Sequence, residues 1–287
     1  MLKVIKKHSG VIGAEIRGVD LSTPVNDRHF DEIIAAFHAH EVVVFRDQQL
    51  TAEQHVAFSR RFGELDINVR SRFNRKDYPE ILVVSNVVEN GEPIGVQDAG
   101  RYWHSDLCYL QEPSRCSLLH ALEVPVKDGV ALGDTLFASA SAAYEALSPE
   151  MKERLAGRRA VNSYVHTYDR KVRDFNRTPV EKENRTAPPD VMHPVVRTHP
   201  QTGKKCLYVN EGYSTSIDGL PQDESDELLE FLFEHITRAD FVYRHRWRAG
   251  DLLMWDNCLV QHKAVFDYAL PFRRRMERTT VRGSVPF

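Results

Sequence analysis

Two segments far apart in the chain carry side chains that could bind one metal ion. His104 and Asp106 stand two residues apart in the segment 103–106, and His262 follows the run 255–261. In extended backbone, residues i and i+2 project to the same side, so His104 and Asp106 could share a cation. Two imidazoles and one carboxylate on one face of a metal are typical of non-haem Fe(II) oxygenases. If the two segments converge, the sequence predicts an oxygen-activating centre.

The arginines that follow His262 strengthen this interpretation, because a histidine two residues before an aspartate also occurs by chance. Arg274 and Arg278 are four residues apart, so on a strand they would lie on one face. The planar fork of arginine matches a carboxylate, which would suit a dicarboxylate cosubstrate in a partly buried site. Arg273 and Arg275 would lie on the opposite face, where exposed charge discourages edge-to-edge aggregation.

The elements that must position these residues are mostly short strands. Strand patterns occur at 11–19, 42–45, 81–85, 117–124, 135–137, 195–198, 206–209, 241–247, 252–255 and 275–281. Apolar residues at helical spacing predict helices over 27–40, 52–62, 139–155 and 224–236. Without a regular alternation of strand and helix, this pattern favours a β-sandwich or jelly roll with flanking helices.

The chain 1–287 is interpreted as a single domain, because no repeat, low-complexity tract or linker divides it. The stretches 86–101 and 169–190 lack periodicity, so we interpret them as loop insertions that could close over a site. A capping box at Thr51 and Gln54 marks the start of the second helix.

Composition excludes several classes of protein. A net charge of −3 gives no sign of nucleic-acid or membrane-surface binding. The four cysteines form no C-x-x-C pair, which argues against a structural zinc site. There is no apolar run long enough for a membrane span, and the first residues lack the apolar core of a signal peptide. We therefore expect a cytoplasmic enzyme, assembled as a homo-oligomer (dimer or tetramer).

Ordered blocks along nearly the whole chain resemble the taurine dioxygenase family of Fe(II)/2-oxoglutarate-dependent oxygenases. They include Trp-His-Ser-Asp at 103–106 and Trp-Asp-Asn at 255–257. Further blocks lie at 12–16, 42–48, 61–65, 133–136, 193–200 and 209–212. The resemblance implies a mostly β fold with flanking helices, a double-stranded β-helix (jelly roll). It also implies a reaction in which dioxygen and 2-oxoglutarate are consumed, an organic substrate is hydroxylated, and succinate and CO2 are released.

The resemblance implies a role for particular residues. His104, Asp106 and His262 match the family's iron ligands. Thr135 and Arg274 match the positions that hold the distal carboxylate of 2-oxoglutarate.

The substrate pocket is where the chain departs from the taurine enzymes. Arg278 matches the arginine that faces the anionic group of the substrate. The other pocket positions are Asn68, Ser71, Gly100, Tyr164 and Tyr213. Asn68 and Ser71 replace a histidine and a tyrosine, and Gly100 replaces a polar residue. We therefore predict a small organic anion (sulfonate, carboxylate, sulfate ester or phosphonate) other than taurine.

Other functions remain open on the sequence. The chain could be an aryloxyalkanoate dioxygenase acting on a carboxylate, or a non-catalytic sensor of metal or 2-oxoglutarate. A sensor would not need to keep Asp106, Thr135 and Arg274 together. A hydrolytic zinc enzyme would leave Thr135 and Arg274 without a purpose.

Overall fold

Short strands are the most numerous elements of the fold, which a computed structural model describes over residues 2–6, 11–67, 72–175 and 187–287. In chain order the strands are β1 (Lys3–Lys6), β2 (Ala14–Arg17), β3 (Val42–Phe45), β4 (Leu82–Ser85), β5 (Val88–Glu89), β6 (Glu92–Pro93), β7 (Ser114–Glu123), β8 (Val126–Lys127), β9 (Val130–Ala131), β10 (Thr135–Ser139), β11 (Arg159–Asn162), β12 (Val191–Pro194), β13 (Val196–Thr198), β14 (Lys205–Leu207), β15 (Ser214–Ile217), β16 (Val242–His245), β17 (Leu252–Asp256), β18 (Val260–Ala264) and β19 (Arg275–Arg282). The helices are α1 (Asp27–His40), α2 (Ala52–Arg60), α3 (Ala140–Glu145), α4 (Pro149–Leu155), α5 (Tyr164–Phe175) and α6 (Gln222–Ile236). The predicted mostly β fold with flanking helices is confirmed.

The central element is a seven-stranded sheet in the order β1-β2-β3-β17-β7-β19-β4. Its pairs are antiparallel except β2 with β3, which is parallel. A three-stranded sheet, β16-β10-β18, lies across from it. The two sheets meet where Phe137 of β10 packs on Trp255 of β17, with ring centroids 5.7 Å apart. Strand β18, which contains His262, therefore belongs to the smaller sheet and faces the larger one.

Side chains that alternate along the large sheet separate two cores. Val43 and Phe45 of β3 point to the layer of α1 and α2, where they join Phe37. Val42 and Val44 point the other way, toward the small sheet. Because a strand's side chains alternate between faces, one sheet can bury a helical layer behind it and support a site in front.

Several predicted elements are confirmed with small changes at their ends. Helix α1 covers the predicted 27–40, and strand β3 the predicted 42–45. The capping box of α2 is present, since Thr51 and Gln54 bond each other's backbone N–H. None of the six helices in the described part of the chain combines the length and apolar content that a membrane span requires.

Three predictions about helices and loops need correction. The single helix predicted over 139–155 is two helices, α3 and α4, because Ser148 caps a new helix and Pro149, which has no N–H, begins it. The predicted loop 169–190 begins within helix α5, while residues 176–186 lie outside the described residues. The predicted loop 86–101 contains the small hairpin of β5 and β6. The strands β1, β8, β9, β11, β12, β15 and β18 were not predicted either.

A buried histidine between α2 and the large sheet makes the stability of the fold depend on pH. His55 is fully buried, with Nε2 3.3 Å from Thr279 Oγ1 and its ring 6.0 Å from that of His120. Burial, and then the charge of His120, lowers the pKa of His55 to about 3. As the pH falls below about 6.5 the unfolded chain binds a proton that the folded chain does not, so stability is full above that pH and falls toward pH 3.

We expect this histidine alone to remove about 2 kcal/mol from the free energy of unfolding between pH 7 and pH 5. Urea denaturation at both pH values, on the native chain and on His55→Gln, checks it. The variant should lose less stability than the native chain by that amount. Equal losses in the two proteins would show that His55 is not the group responsible.

Candidate active site

Three potential metal ligands converge between the two sheets. Ligand atoms of His104, Asp106 and His262 all lie within 4.8 Å of one another. His104 Nε2 is 3.8 Å and His262 Nε2 is 4.0 Å from Asp106 Oδ1. The structure therefore brings together the three residues that the sequence predicts as a metal site.

A backbone bridge fixes the two histidines side by side. The N–H of His104 donates to the carbonyl of His262 (3.1 Å), and the N–H of His262 donates to the carbonyl of His104 (2.8 Å). His104 Nδ1 lies 2.9 Å from the carbonyl oxygen of Tyr102 and 3.0 Å from that of His262. A carbonyl only accepts, so Nδ1 carries the proton and Nε2 keeps its lone pair for a metal.

Burial sets the charge state of the ligands. It lowers the pKa of both His104 and His262 below the ordinary value, which keeps the imidazoles neutral. Burial alone would raise the pKa of the Asp106 carboxyl, but the charge of the Arg278 guanidinium holds it well below its ordinary value. The site therefore presents two neutral nitrogen ligands and one anionic oxygen ligand.

This donor set fits Fe(II). Imidazole and carboxylate ligands suit iron and other divalent first-row metals, and the three ligands leave further positions open for bound reactants. Asp106 Oδ1 accepts a hydrogen bond from Arg278 Nη1 at 2.8 Å, and Oδ2 accepts one from Ser117 Oγ at 2.7 Å.

A second cluster, His199, Asp256 and Cys258, does not have the character of a metal site. His199 Nε2 lies 3.0 Å from Asp256 Oδ2, so the imidazole and the carboxylate lie at the distance of an ion pair with each other. Asp256 Oδ1 accepts a hydrogen bond from the N–H of Cys258, and burial raises the pKa of the Cys258 thiol. The cluster instead fixes the turn between β17 and β18.

The two residues predicted to hold a cosubstrate carboxylate, Thr135 and Arg274, are both buried. Thr135 Oγ1 accepts a hydrogen bond from Trp247 Nε1 at 3.0 Å, which leaves the threonine O–H free to donate elsewhere. Arg274 lies against Gly133, two residues before Thr135. A Cβ at Gly133 would come within 3.2 Å of Arg274 Cδ and 2.8 Å of Tyr268 Cε1.

Arg274 is a buried cation, and at least one of its N–H donors has no hydrogen-bond partner. It is only 5% exposed, Nε has no hydrogen-bond partner, and no carboxylate in the described ranges forms an ion pair with it. Burial lowers the pKa of its guanidinium, with Tyr268 acting in the opposite direction. Leaving a charge buried without an anion is costly, so the surroundings of Arg274 suit a bound carboxylate.

Three tyrosines form an aromatic cluster beside the metal ligands. The ring of Tyr109 lies 5.0 Å from that of Tyr164 and 4.9 Å from that of Tyr213. The ring of Tyr213 lies 6.2 Å from that of His104. Tyr164 and Tyr213 were predicted from the sequence, whereas Tyr109 was not, although its position three residues after Asp106 was an available signal. Burial raises the pKa of Tyr109 and Tyr213, so both phenols stay protonated.

Of the remaining residues predicted to line the pocket, the structure describes Gly100 and Arg278 but not Asn68 and Ser71. Gly100 lies at the ligands: with φ at +80°, a Cβ there would be 3.2 Å from Ala264 Cβ and 3.8 Å from His104 Cε1. Asn68 and Ser71 lie outside the described residues. Arg278, predicted to face the substrate anion, binds Asp106 here, while its Nε has no hydrogen-bond partner.

Comparison with known proteins gives consistent matches over the whole chain. The profile of the family described as taurine catabolism dioxygenase TauD, TfdA family matches residues 4–280. The chain is 35% identical to the alpha-ketoglutarate-dependent 2,4-dichlorophenoxyacetate dioxygenase of Cupriavidus pinatubonensis, covering 94% of each protein.

Solved structures agree with this match. A taurine dioxygenase from Burkholderia xenovorans superposes with a TM-score of 0.81 at 35% identity, over 99% of this chain and 92% of that one. AAD-2, solved in complex with Mn(II) and N-oxalylglycine, superposes with a TM-score of 0.82 at 29% identity, over 100% of this chain and 98% of that one.

Proposed function

Because the chain belongs to the taurine catabolism dioxygenase TauD, TfdA family, we propose that it hydroxylates a small organic anion bound between Arg278 and the tyrosine cluster. The protein is an oxidoreductase, a dioxygenase that depends on Fe(II), 2-oxoglutarate and O2. The observation that carries the proposal is the convergence of His104, Asp106 and His262 between the two sheets. We also infer that these facing sheets form a double-stranded β-helix (jelly roll).

Each residue of the site has a part in this reaction. His104, Asp106 and His262 would hold Fe(II), which supplies the activation of dioxygen while 2-oxoglutarate is converted to succinate and CO2. Thr135 and Arg274 would bind the distal carboxylate of 2-oxoglutarate through an O–H donor and a buried cation.

The remaining groups would bind and orient the substrate. Arg278 would bind its anionic group, and the rings of Tyr109, Tyr164 and Tyr213 would pack on its carbon skeleton and exclude water. Because burial keeps Tyr109 and Tyr213 protonated, each could also donate a hydrogen bond to an oxygen of the anion.

The class of substrate is proposed from charge and from the relatives. A guanidinium at the mouth of a metal site recognises sulfonates, carboxylates, sulfate esters and phosphonates. The names of the relatives refer to taurine, a sulfonate, and to 2,4-dichlorophenoxyacetate, a carboxylate. Taurine itself is not our first choice, because Asn68 and Ser71 stand where the taurine enzymes have a histidine and a tyrosine.

The proposed function is tested by measuring succinate formation with Fe(II) and 2-oxoglutarate against a panel of anions. The panel pairs each sulfonate, carboxylate, sulfate ester and phosphonate with a neutral analogue of the same carbon skeleton. It includes taurine and aryloxyacetates. Substrate-dependent succinate from at least one anion, with none from its neutral partner, supports the proposal. Absence of coupled turnover throughout would contradict the substrate class, and equal turnover of neutral analogues would contradict the role of charge.

We expect Arg278→Ala to raise the KM for the anionic substrate about 100-fold. Truncating one partner of a buried charged pair costs about 2–5 kcal/mol. The matched control is Arg275→Ala, whose side chain is 35% exposed and lies 3.9 Å from Glu277. Because Arg278 also contacts Asp106, the Kd for Mn(II) is measured in parallel. An unchanged substrate KM in Arg278→Ala would refute the assignment.

A further inference from the structure

Two buried polar residues, Ser117 and Asn257, form hydrogen bonds with Asp106. Ser117 Oγ donates to Asp106 Oδ2 at 2.7 Å. Asn257 Oδ1 accepts from the backbone N–H of Asp106 at 3.1 Å, and Asn257 Nδ2 donates to Ser117 Oγ at 3.0 Å. The three residues thus form a closed ring of hydrogen bonds that includes both the side chain and the backbone of Asp106.

The donor and the acceptor of each of these hydrogen bonds can be assigned from the groups that face each other. Asn257 Oδ1 also faces Trp255 Nε1, at 2.9 Å, so it lies between two N–H donors and must be the carbonyl oxygen. The NH2 group therefore faces Ser117 and can only donate. Ser117 Oγ accepts that hydrogen bond, and its single proton is directed to Asp106 Oδ2.

The ring is anchored to rigid parts of the fold. Ser117 lies within β7, the strand that pairs with both β17 and β19, and it is fully buried. Asn257 is also fully buried, and its backbone N–H donates to the carbonyl of Arg115 at 2.9 Å. Side chains packed in this way keep a single rotamer, so the ring can hold Asp106 in one orientation.

We propose that Ser117 and Asn257 are positioning residues that keep Asp106 a ligand through one oxygen only. The inference rests on the proposed metal centre. Oδ1 is the carboxylate oxygen within 4.0 Å of both histidine Nε2 atoms and accepts a hydrogen bond from Arg278 Nη1, whereas Oδ2 accepts one from Ser117 Oγ. The hydrogen bond to Oδ2 competes with metal binding through that oxygen and favours binding through Oδ1 alone, which would leave more positions for 2-oxoglutarate and O2.

The test measures the Kd of the Ser117→Ala variant for Mn(II). The protein is titrated with Mn(II), and binding is monitored by electron paramagnetic resonance. We expect the Kd to rise about tenfold, the lower end of the range for partners of metal ligands. Ser105→Ala is the matched control. It also removes a buried hydroxyl beside the ligands, but Ser105 Oγ donates to the backbone carbonyl of Val260 at 3.0 Å. Its Kd should not change.

A second pair of variants separates positioning from general destabilisation. Ser117→Thr and Ser117→Val have the same shape, and only threonine can donate to Oδ2. The Ser117→Thr variant should therefore bind Mn(II) more tightly than the Ser117→Val variant, and the two variants should have similar melting temperatures. In the double variant Ser117→Ala/Asn257→Ala, the loss should be smaller than the sum of the single losses, because both residues act through one ring.

The outcomes distinguish this inference from the proposed function. If the native chain does not bind Mn(II), the metal centre itself is wrong. If the native chain binds Mn(II), and Ser117→Ala and Ser105→Ala bind it equally well, the centre stands and the positioning role is overturned. Equal affinities of the threonine and valine variants would overturn it as well.

Discussion

The Asp106→Ala variant is expected to bind Mn(II) more than about 100-fold more weakly than the native chain, since loss of a partner of a metal ligand already costs about 10- to 100-fold. Asp106 would supply the one anionic ligand, and without it two neutral imidazoles would face the cation beside the uncompensated Arg278 guanidinium. Formation of succinate should fall to background. Titration with Mn(II) and an assay of succinate under saturating Fe(II) measure the two effects.

Asp106→Asn provides the matched comparison, because it preserves the shape of the side chain and removes only its charge. We expect its metal affinity to lie between those of the native chain and Asp106→Ala. Melting temperatures without metal show whether each variant is folded. A folded Asp106→Ala variant that binds Mn(II) as tightly as the native chain would exclude Asp106 as a ligand.

The Arg274→Leu variant is expected to raise the KM for 2-oxoglutarate by two to three orders of magnitude. Removing one member of a buried charged pair costs about 2–5 kcal/mol, and each 1.4 kcal/mol corresponds to about tenfold in affinity. The measurement is the initial rate of succinate formation against 2-oxoglutarate concentration. Arg273→Leu is the control, because that side chain is 47% exposed and pairs with Glu123 at the surface. Similar KM values for the two variants would contradict the role of Arg274.

A shortened cosubstrate sharpens this test. A 2-oxo acid that lacks the distal carboxylate cannot use Arg274, so the native chain and Arg274→Leu should turn it over equally poorly. Arg274→Lys keeps the charge but loses the planar fork, and its KM should lie between those of the native chain and the leucine variant. A large difference between native chain and leucine variant with the shortened acid would show that Arg274 acts on something other than that carboxylate.

The three candidate metal ligands could be singled out from the sequence because their signal is local in the chain. His104 and Asp106 are two residues apart, and the block that precedes His262 resembles a known family. Strand β18, which carries His262, was not predicted, because Gln261 and Lys263 break the apolar pattern of a buried strand. Gln261 is nevertheless buried, since its Nε2 donates to the carbonyl of Val209. Val209 is brought to Gln261 by the tertiary structure, and the spacing of apolar residues in the sequence carries no information about such a contact.

The rest of the site depends on contacts between distant parts of the chain. Ser117 falls on an ordinary strand, and Tyr109 lies in the turn after the ligands. Nothing in their spacing connects them to Asp106 or to Tyr164. By contrast, the break between α3 and α4 was visible in the sequence, where Ser148 precedes Pro149. That local signal was overlooked in the prediction of one helix over 139–155, whereas the lining of the pocket could be found only from the fold.

The backbone bridge between His104 and His262 also bears on how the protein is made. The two residues are 158 positions apart, so a growing chain exposes His104 and Asp106 long before His262 is synthesised. During that interval β18 is absent, as is β19 with Arg278, and the first two ligands have no frame to hold them. A pair of ligands on an unfolded segment retains metal poorly, because binding must also order the chain. Capture of a metal by all three residues therefore requires synthesis of the chain to have passed His262.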